Sequence, residues 1–274
     1  MSETKWYYTR EEIEKISPSR LDGINFKEET FQRWSYTSFL QELGQRLNNP
    51  QKSIATSIVL CQRFFTRQSL AKNDPKTVAI ICMFIAGKVE GSPRPAGDVI
   101  VVSYRVLHNK EPLRDVFEGL KKIVLTGEKL VLSTLGFDLE IEHPYKLVMD
   151  RVKRSVKAED VRRLCQASFN FVNDSLRTSL CLHFGPSQIA AAAIYIGSSM
   201  CKMTLPCDGE KEWWREFDVT KRQLWEICDQ TLDLYIQDFV IPVMRGDCKQ
   251  INNDVTKPCQ GLQAHQDFKG IRQT

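Results

Sequence analysis

Two stretches of the sequence decide the fold: PKTVAIICMFIAG at residues 75–87 and PSQIAAAAIYIGS at residues 186–198. Both begin with a proline, and their apolar residues align without a gap from Val78 and Ile189 onward. Each run is apolar on nearly every helical face, which is typical of a helix at the centre of a domain, and each is too short to span a membrane. The sequence therefore predicts two copies of one structural unit.

Segments with one apolar face surround these central runs. Apolar residues recur at three- and four-residue spacings between residues 28 and 47, 53 and 70, and 117 and 135, as amphipathic helices require. The segment GDVIVVSYRVL at residues 97–107 has the β-branched composition of a strand. We expect a helix there as well, because a single strand would have no partner. The pattern predicts an all-α protein made of two tandem five-helix repeats.

The predicted organisation along the chain has four parts. They are an N-terminal segment with a short helix (1–27), a first repeat (28–141), a second repeat (142–241) and a tail that we expect to be disordered (242–274). Thr9 and Glu12 have capping-box spacing and predict the start of the short helix. The adjacent Trp213 and Trp214 are expected to fill the second core with aromatic area.

Composition and motifs argue against an enzyme. The net charge of +4 over 274 residues is too small for phosphate binding by charge alone, and we do not expect direct binding of nucleic acid. The nine cysteines have no paired spacing, which predicts reduced intracellular thiols. The histidines share no metal-ligand spacing, and no phosphate-binding loop or nucleophile elbow is present. We predict a protein-binding protein without catalytic residues, metal, cofactor or membrane segment.

Lys88 is the unusual residue of the first apolar run. It lies in the same helical row as Ile81 and Phe84, at the border of buried surface. One interpretation is that its stem covers apolar neighbours while the ammonium group reaches water and the carbonyls at the helix end. The other is that Lys88 binds a partner. Ser199 takes the matching place in the second repeat, so the fold itself does not need a lysine there.

The densest basic stretch is DRVKRSVKAEDVRR at residues 150–163. Its arginines either form a solvated helix surface or bind an acidic or phosphorylated segment, because the guanidinium group matches phosphate geometry. The candidate residues for such a surface are Arg151, Arg154, Arg162 and Arg163.

Several extended motifs resemble one family. FIAGKVEG at residues 84–91 and GEKLVLSTLGFDLEIEHPY at residues 127–145, within two helical repeats, resemble the cyclin boxes of the transcriptional cyclins. KWYYTREEIEKISPSR at residues 5–20 is similar to cyclin T, and EHPYKLV at residues 142–148 is closer to cyclin K. The resemblance covers the chain from about residue 5 to about residue 240.

The resemblance implies a surface that binds a cyclin-dependent kinase, with Lys88 and Glu128 at its polar centre. The kinase-binding residues that it implies are Phe84, Lys88, Val89, Glu90, Glu128 and Phe137. Such a surface would hold the kinase's mobile regulatory helix inward, so that the catalytic Lys–Glu pair of the kinase forms. The sequence departs from cyclin T at Gly91, Arg94 and Pro95, which bears on the choice of kinase.

The function implied is that of a nuclear kinase subunit that promotes phosphorylation of the RNA polymerase II C-terminal domain and transcription elongation. An alternative is a general transcription factor core, which also contains two cyclin-like repeats but binds promoter DNA. That alternative normally requires a zinc ribbon and a basic stripe, and neither pattern is visible in the sequence. A third reading is a helical scaffold that binds no kinase.

Overall fold

The structure is a computed structural model that describes residues 6–205 and 212–244, with the backbone alone from residue 233 to residue 244. Its α-helices in chain order are α1 (Arg10–Ile16), α2 (Pro18–Leu21), α3 (Phe26–Arg46), α4 (Gln51–Arg67), α5 (Pro75–Val89), α6 (Ala96–His108), α7 (Arg114–Thr134), α8 (Pro144–Ser155), α9 (Ala158–Ser175), α10 (Pro186–Met200) and α11 (Lys221–Met244). Two 3₁₀ helices span Leu180–Leu182 and Trp213–Phe217. Within these described ranges there is no strand, and the predicted all-α class is confirmed.

Local sequence signals define the helix starts. The Thr9 hydroxyl accepts a hydrogen bond from the Glu12 backbone N–H, and the Glu12 carboxylate accepts one from the Thr9 N–H, so the predicted capping box is formed. Asp74 caps α5, and Pro75 occupies the first helical position. The β-branched segment forms α6, because Val99 and Ile100 can bury themselves on one helical face.

The first compact unit contains the described residues from Trp6 to His143, together with Leu176–His183. At its centre, α5 packs against α3, α4, α6 and α7, and every residue from Val78 to Gly87 is buried. The short segment after α9 belongs to this unit, because Gln62 Nε2 on α4 donates a hydrogen bond to the Leu176 carbonyl at 2.8 Å.

The N-terminal segment is anchored to the first unit by Trp6. The guanidinium groups of Arg63 and Arg67 lie 4.7 and 4.2 Å from the Trp6 ring centroid. Trp6 Nε1 also donates a hydrogen bond to Asp138 Oδ2 at 2.7 Å. These contacts combine cation–π attraction with burial of the indole ring.

The second compact unit contains Pro144–Ser175 and the described residues from Phe184 to Met244. Here α10 is central and packs against α8, α9, α11 and the 3₁₀ helix Trp213–Phe217. That 3₁₀ helix takes the place of the fourth helix of the repeat, and Trp213 is buried within it. Helix α11 extends to Met244, and the rest of the predicted tail lies outside the described residues.

Candidate functional site

Lys88 lies in the last turn of α5 and forms an ion pair with Glu128 of α7. Lys88 Nζ lies 2.7 Å from Glu128 Oε1, and the two side chains are 46% and 20% exposed. The two side chains are therefore in contact, as expected from the sequence, whereas their role in binding a kinase stays a prediction. Because water still reaches both groups, the pair contributes at most about 1 kcal/mol to folding.

Phe84 lies one turn before Lys88 and supports its side chain. Lys88 Nζ is 4.0 Å from the Phe84 ring centroid, within the range of a cation–π interaction. The Phe84 side chain is itself buried, so it forms the floor beneath the ammonium group. The aromatic face and the carboxylate together hold the Lys88 charge at a defined place on the surface.

Gly127 allows α7 to approach α5 closely. A Cβ atom at Gly127 would lie 2.4 Å from Cδ1 of Ile81 on α5, so only a residue without a side chain permits this crossing as it stands. Glu128 is the next residue, and the close crossing places its carboxylate beside Lys88. The sequence analysis did not single out Gly127. The available signal was a glycine inside a helical pattern, directly before the acid.

Apolar side chains are exposed on the same two helices. Val89 follows Lys88, Leu125 lies one turn before Glu128, and both apolar residues are exposed. Phe137 is 67% exposed, and its φ of +58° is uncommon for a bulky residue. A strained, exposed aromatic residue is typical of a site that another molecule covers. The ion pair and these exposed apolar residues make up what we call the α5–α7 surface: Lys88, Val89, Leu125, Glu128 and Phe137.

Glu90 follows this surface in sequence but turns away from it. Its side chain is 7% exposed, and Oε2 lies 2.6 Å from Lys52 Nζ of α4. Its Oε1 accepts a hydrogen bond from the Thr56 hydroxyl at 2.7 Å. Burial alone would raise the pKa of Glu90, but the hydrogen bonds from Lys52 and Thr56 outweigh burial and lower it. The structure therefore places Glu90 inside the first unit, in contact with α4.

His143 contacts the same threonine. His143 Nε2 lies 2.7 Å from Thr56 Oγ1, and burial lowers the pKa of His143 to about 4, against the attraction of Glu90. At neutral pH the imidazole is therefore uncharged. Neither Thr56 nor Lys52 was a sequence candidate, because a threonine on a buried helical face gives no signal of distant partners.

The basic stretch is divided between the interior and the surface of the second unit. Arg151 is buried, with Nε 3.1 Å from Glu216 Oε1 and its guanidinium carbon 5.9 Å from the Trp213 ring centroid. The Arg151 side chain therefore packs inside the second unit. The other candidates are exposed on α8 and α9: Arg154, Arg162 and Arg163.

The described residues also bear on metal binding and on membrane insertion. Within residues 6–205 and 212–232, histidine, cysteine, aspartate and glutamate side chains do not gather in a group able to hold a metal ion. The described helices also include none with the length and apolar character needed to cross a membrane.

Comparison with known proteins identifies the family of this chain. Residues 3–140 match the family described as "Cyclin, N-terminal domain". An Arabidopsis thaliana protein named as a cyclin-T1-1 is 88% identical over 88% of this chain and 98% of its own length. Cyclin-T1-5 of the same plant is 53% identical over 89% of this chain, but this chain spans only 43% of that longer relative.

A solved structure shares the fold. A chain in the crystal structure of the yeast RNA Pol II CTD kinase CTDK-1 complex superposes with a TM-score of 0.71 at 18% identity, over 85% of this chain and 74% of that chain. At that identity the likeness shows the fold alone. The family match and the plant relatives agree with the cyclin-box motifs and with the paired helical repeats, and the chain belongs to the T-type cyclins.

Proposed function

We propose that this chain binds and activates a transcriptional cyclin-dependent kinase through the α5–α7 surface. The observation that supports this most directly is the Lys88–Glu128 pair, whose charges are held beside exposed apolar residues although they contribute little to folding. Cyclins are non-catalytic regulatory subunits of kinases. The similarity to a chain of the yeast CTD kinase complex supports a partner of the same class.

The proposed mechanism needs no catalytic group from this chain. A helix of the kinase lies across the crossing of α5 and α7, with apolar contacts to Val89, Leu125 and Phe137 and polar contacts to the ion pair. Binding favours the inward position of that helix, in which the catalytic Lys–Glu pair of the kinase forms. The cyclin thus shifts a two-state equilibrium of its partner, because it contacts only one of the two states.

The proposed substrate of the complex is the C-terminal domain of RNA polymerase II, and the proposed outcome is transcription elongation in the nucleus. The name of the yeast complex, an RNA Pol II CTD kinase, supports the choice of substrate. We further propose that residues 28–141 act as the kinase-binding box and residues 142–241 as the second box, the limits expected from the sequence.

The test uses the full chain, co-expressed with the catalytic subunit of a transcriptional cyclin-dependent kinase. Lys88→Glu places a repelling charge on the surface, while Ser199→Glu makes the matched change at the corresponding position of the second repeat. We expect the unmodified chain and Ser199→Glu to co-purify with the kinase and to support phosphorylation of a polymerase-tail peptide. Lys88→Glu should lose both activities, while its melting temperature falls by only a few degrees. If Lys88→Glu binds and activates as well as the unmodified chain, the proposed kinase surface is wrong.

A second, separate proposal concerns the exposed arginines of α8 and α9. Replacing Arg154, Arg162 and Arg163 with alanine should lower activity on a pre-phosphorylated tail peptide and leave kinase association unchanged, because guanidinium groups bind phosphate in a bidentate manner. The matched measurement uses the unphosphorylated peptide. Equal activity of the variant and the unmodified chain on both peptides would show that these arginines form ordinary solvated surface.

A further inference from the structure

The end of α5 is joined to the beginning of α4 by side chains. Glu90 is bound by Lys52 and Thr56 at 2.6 and 2.7 Å, and Ser92 Oγ lies 2.7 Å from Ser53 Oγ. The backbone is also hydrogen-bonded at this point, because the Glu90 N–H donates a hydrogen bond to the Ala86 carbonyl at 2.9 Å. The helix turn that presents Lys88 is therefore fixed from its C-terminal side by α4.

The chain that follows α7 reaches the same point. Phe137 lies just beyond the end of α7, and the segment after it leads to His143. His143 Nε2 and Glu90 Oε1 both lie 2.7 Å from the single hydroxyl oxygen of Thr56. The residue after Val89 and the end of the segment that follows Phe137 thus meet at one side chain of α4.

The hydrogen bonding at Thr56 has one consistent arrangement. A carboxylate is acceptor-only, so the Thr56 hydroxyl must donate its proton to Glu90. The Thr56 oxygen can then only accept from His143, which requires the proton of the neutral imidazole to lie on Nε2. Removing the hydroxyl would leave both Glu90 and His143 without this partner in a poorly solvated place.

We infer that Thr56 is a positioning residue of the α5–α7 surface: its hydroxyl joins the end of α5, which presents Lys88, to His143 at the end of the segment after α7, which contains Phe137. Glu90 then acts through Thr56 and Lys52 rather than by touching a partner. This inference rests on the proposed kinase-binding function, and it assigns a role to residues outside the surface itself.

The experiment compares full-length variants in affinity for the kinase and in the free protein. Thr56→Val keeps the branched shape and removes the hydroxyl, Thr56→Ser keeps the hydroxyl, and Thr37→Val is the matched control. Thr37 is equally buried in the same unit, but its hydroxyl bonds only within α3, to the Arg33 and Trp34 carbonyls. We expect Thr56→Val to weaken kinase binding roughly ten-fold, while the other two variants bind within about two-fold of the unmodified chain.

Two readouts in the free protein separate positioning from a general loss of stability. Thr56→Val should speed amide hydrogen exchange at residues 88–92 and 137–143, and the nitrogen chemical shifts of His143 should show that the proton has left Nε2 for part of the population. Thr37→Val should change neither signal. Unchanged exchange and an unchanged His143 tautomer in Thr56→Val would overturn the inference, as would equal loss of kinase binding in Thr37→Val.

Glu90→Gln provides a variant that keeps an acceptor for Thr56 and removes the charge. If Glu90 only positions α5, kinase affinity should fall less than about three-fold, whereas a direct ionic contact would make Glu90→Gln as damaging as Lys88→Glu and would overturn the inference. Failure of the proposed function is a different result. If the proposed function is wrong, Lys88→Glu binds the kinase as well as the unmodified chain does. Hydrogen exchange and the His143 tautomer, both measured in the free protein, then test separately whether Thr56 holds these segments in place.

Discussion

The corresponding helix crossings of the two units contain different kinds of side chain, charged in the first unit and aromatic in the second. In the first unit, the crossing of α5 and α7 contains Phe84, Lys88 and Glu128. Aligning the repeats places three other residues at the corresponding positions of α10 and α11: Tyr195, Ser199 and Trp225. The Tyr195 and Trp225 ring centroids lie 5.5 Å apart at an interplanar angle of 70°, an edge-to-face contact that favours packing.

This difference distinguishes residues that stabilise the fold from residues that we propose bind a partner. The aromatic pair stabilises the second unit through buried area and ring geometry, whereas a half-exposed ion pair adds little to stability. The cyclin fold therefore tolerates an apolar crossing, and under the proposed function the charges of the first unit serve a partner that excludes water from them.

Reversing the ion pair should produce the largest effect. In Lys88→Glu combined with Glu128→Lys the intramolecular pair can still form, so folding stability should change by under about 1 kcal/mol. Kinase binding should fall by about 2–5 kcal/mol, because partner groups then face charges of the wrong sign in a desolvated network. Calorimetry of unfolding and of kinase binding checks both values. Full binding by the double variant would show that the kinase does not distinguish the orientation of the pair.

Removing one residue of the aromatic pair should lower the folding stability of the second unit, whereas reversing the ion pair should mainly lower kinase binding. Trp225→Ala is expected to lower the free energy of unfolding by about 2–3 kcal/mol, because a partly buried indole is lost from the crossing with α10. Glu128→Ala, its counterpart in the first unit, should cost under about 1 kcal/mol. Denaturant unfolding followed by circular dichroism measures both variants. Equal losses would contradict the division between packing and binding.

Exchanging a residue between the crossings tests the close contact of α5 and α7. Leu224 corresponds to Gly127 in the aligned repeats and is buried in the second unit. Gly127→Leu should destabilise the first unit by about 1–3 kcal/mol, because the new side chain overlaps Ile81. Gly119→Ala on the same helix has open space around its Cβ and should stabilise by about 0.5–1 kcal/mol. A tolerated leucine at residue 127 would mean that the crossing has room to repack.

The smallest expected effect is on the pH dependence of the stability of the first unit. His143 has a pKa of about 4 in the folded chain, lowered by burial and by Lys52 and Arg63 against the pull of Glu90, and an ordinary value of 6.5 when unfolded. The unfolded chain therefore binds the proton first as pH falls, and stability declines below the unfolded pKa. Between about pH 7.5 and about pH 6 the decline should be under about 1 kcal/mol. His143→Gln should remove this part of the pH dependence of the melting temperature.

Sequence reasoning recovered the elements with strong local signals. The capping box at Thr9, the Asp74 cap and the uniformly apolar α5 were predicted and are present. The helical interpretation of residues 97–107 was also correct, although their composition favours a strand. It rested on the lack of a partner strand, which outweighs intrinsic propensity. The direction of the Glu90 side chain could not be predicted, because its partners lie on α4.

The sequence alone indicated the two repeated units and the central place of α5 and α10, because periodicity is a property of the chain, and the family resemblance implied that Lys88 and Glu128 share a site. Tertiary structure alone decided that Gly127 brings α7 against Ile81, that Phe84 lies beneath the ammonium group, and that Thr56 joins Glu90 to His143. The physical reason is that these contacts connect residues far apart in sequence. Their geometry depends on how closely helices cross, which side-chain volumes set together and no local pattern records.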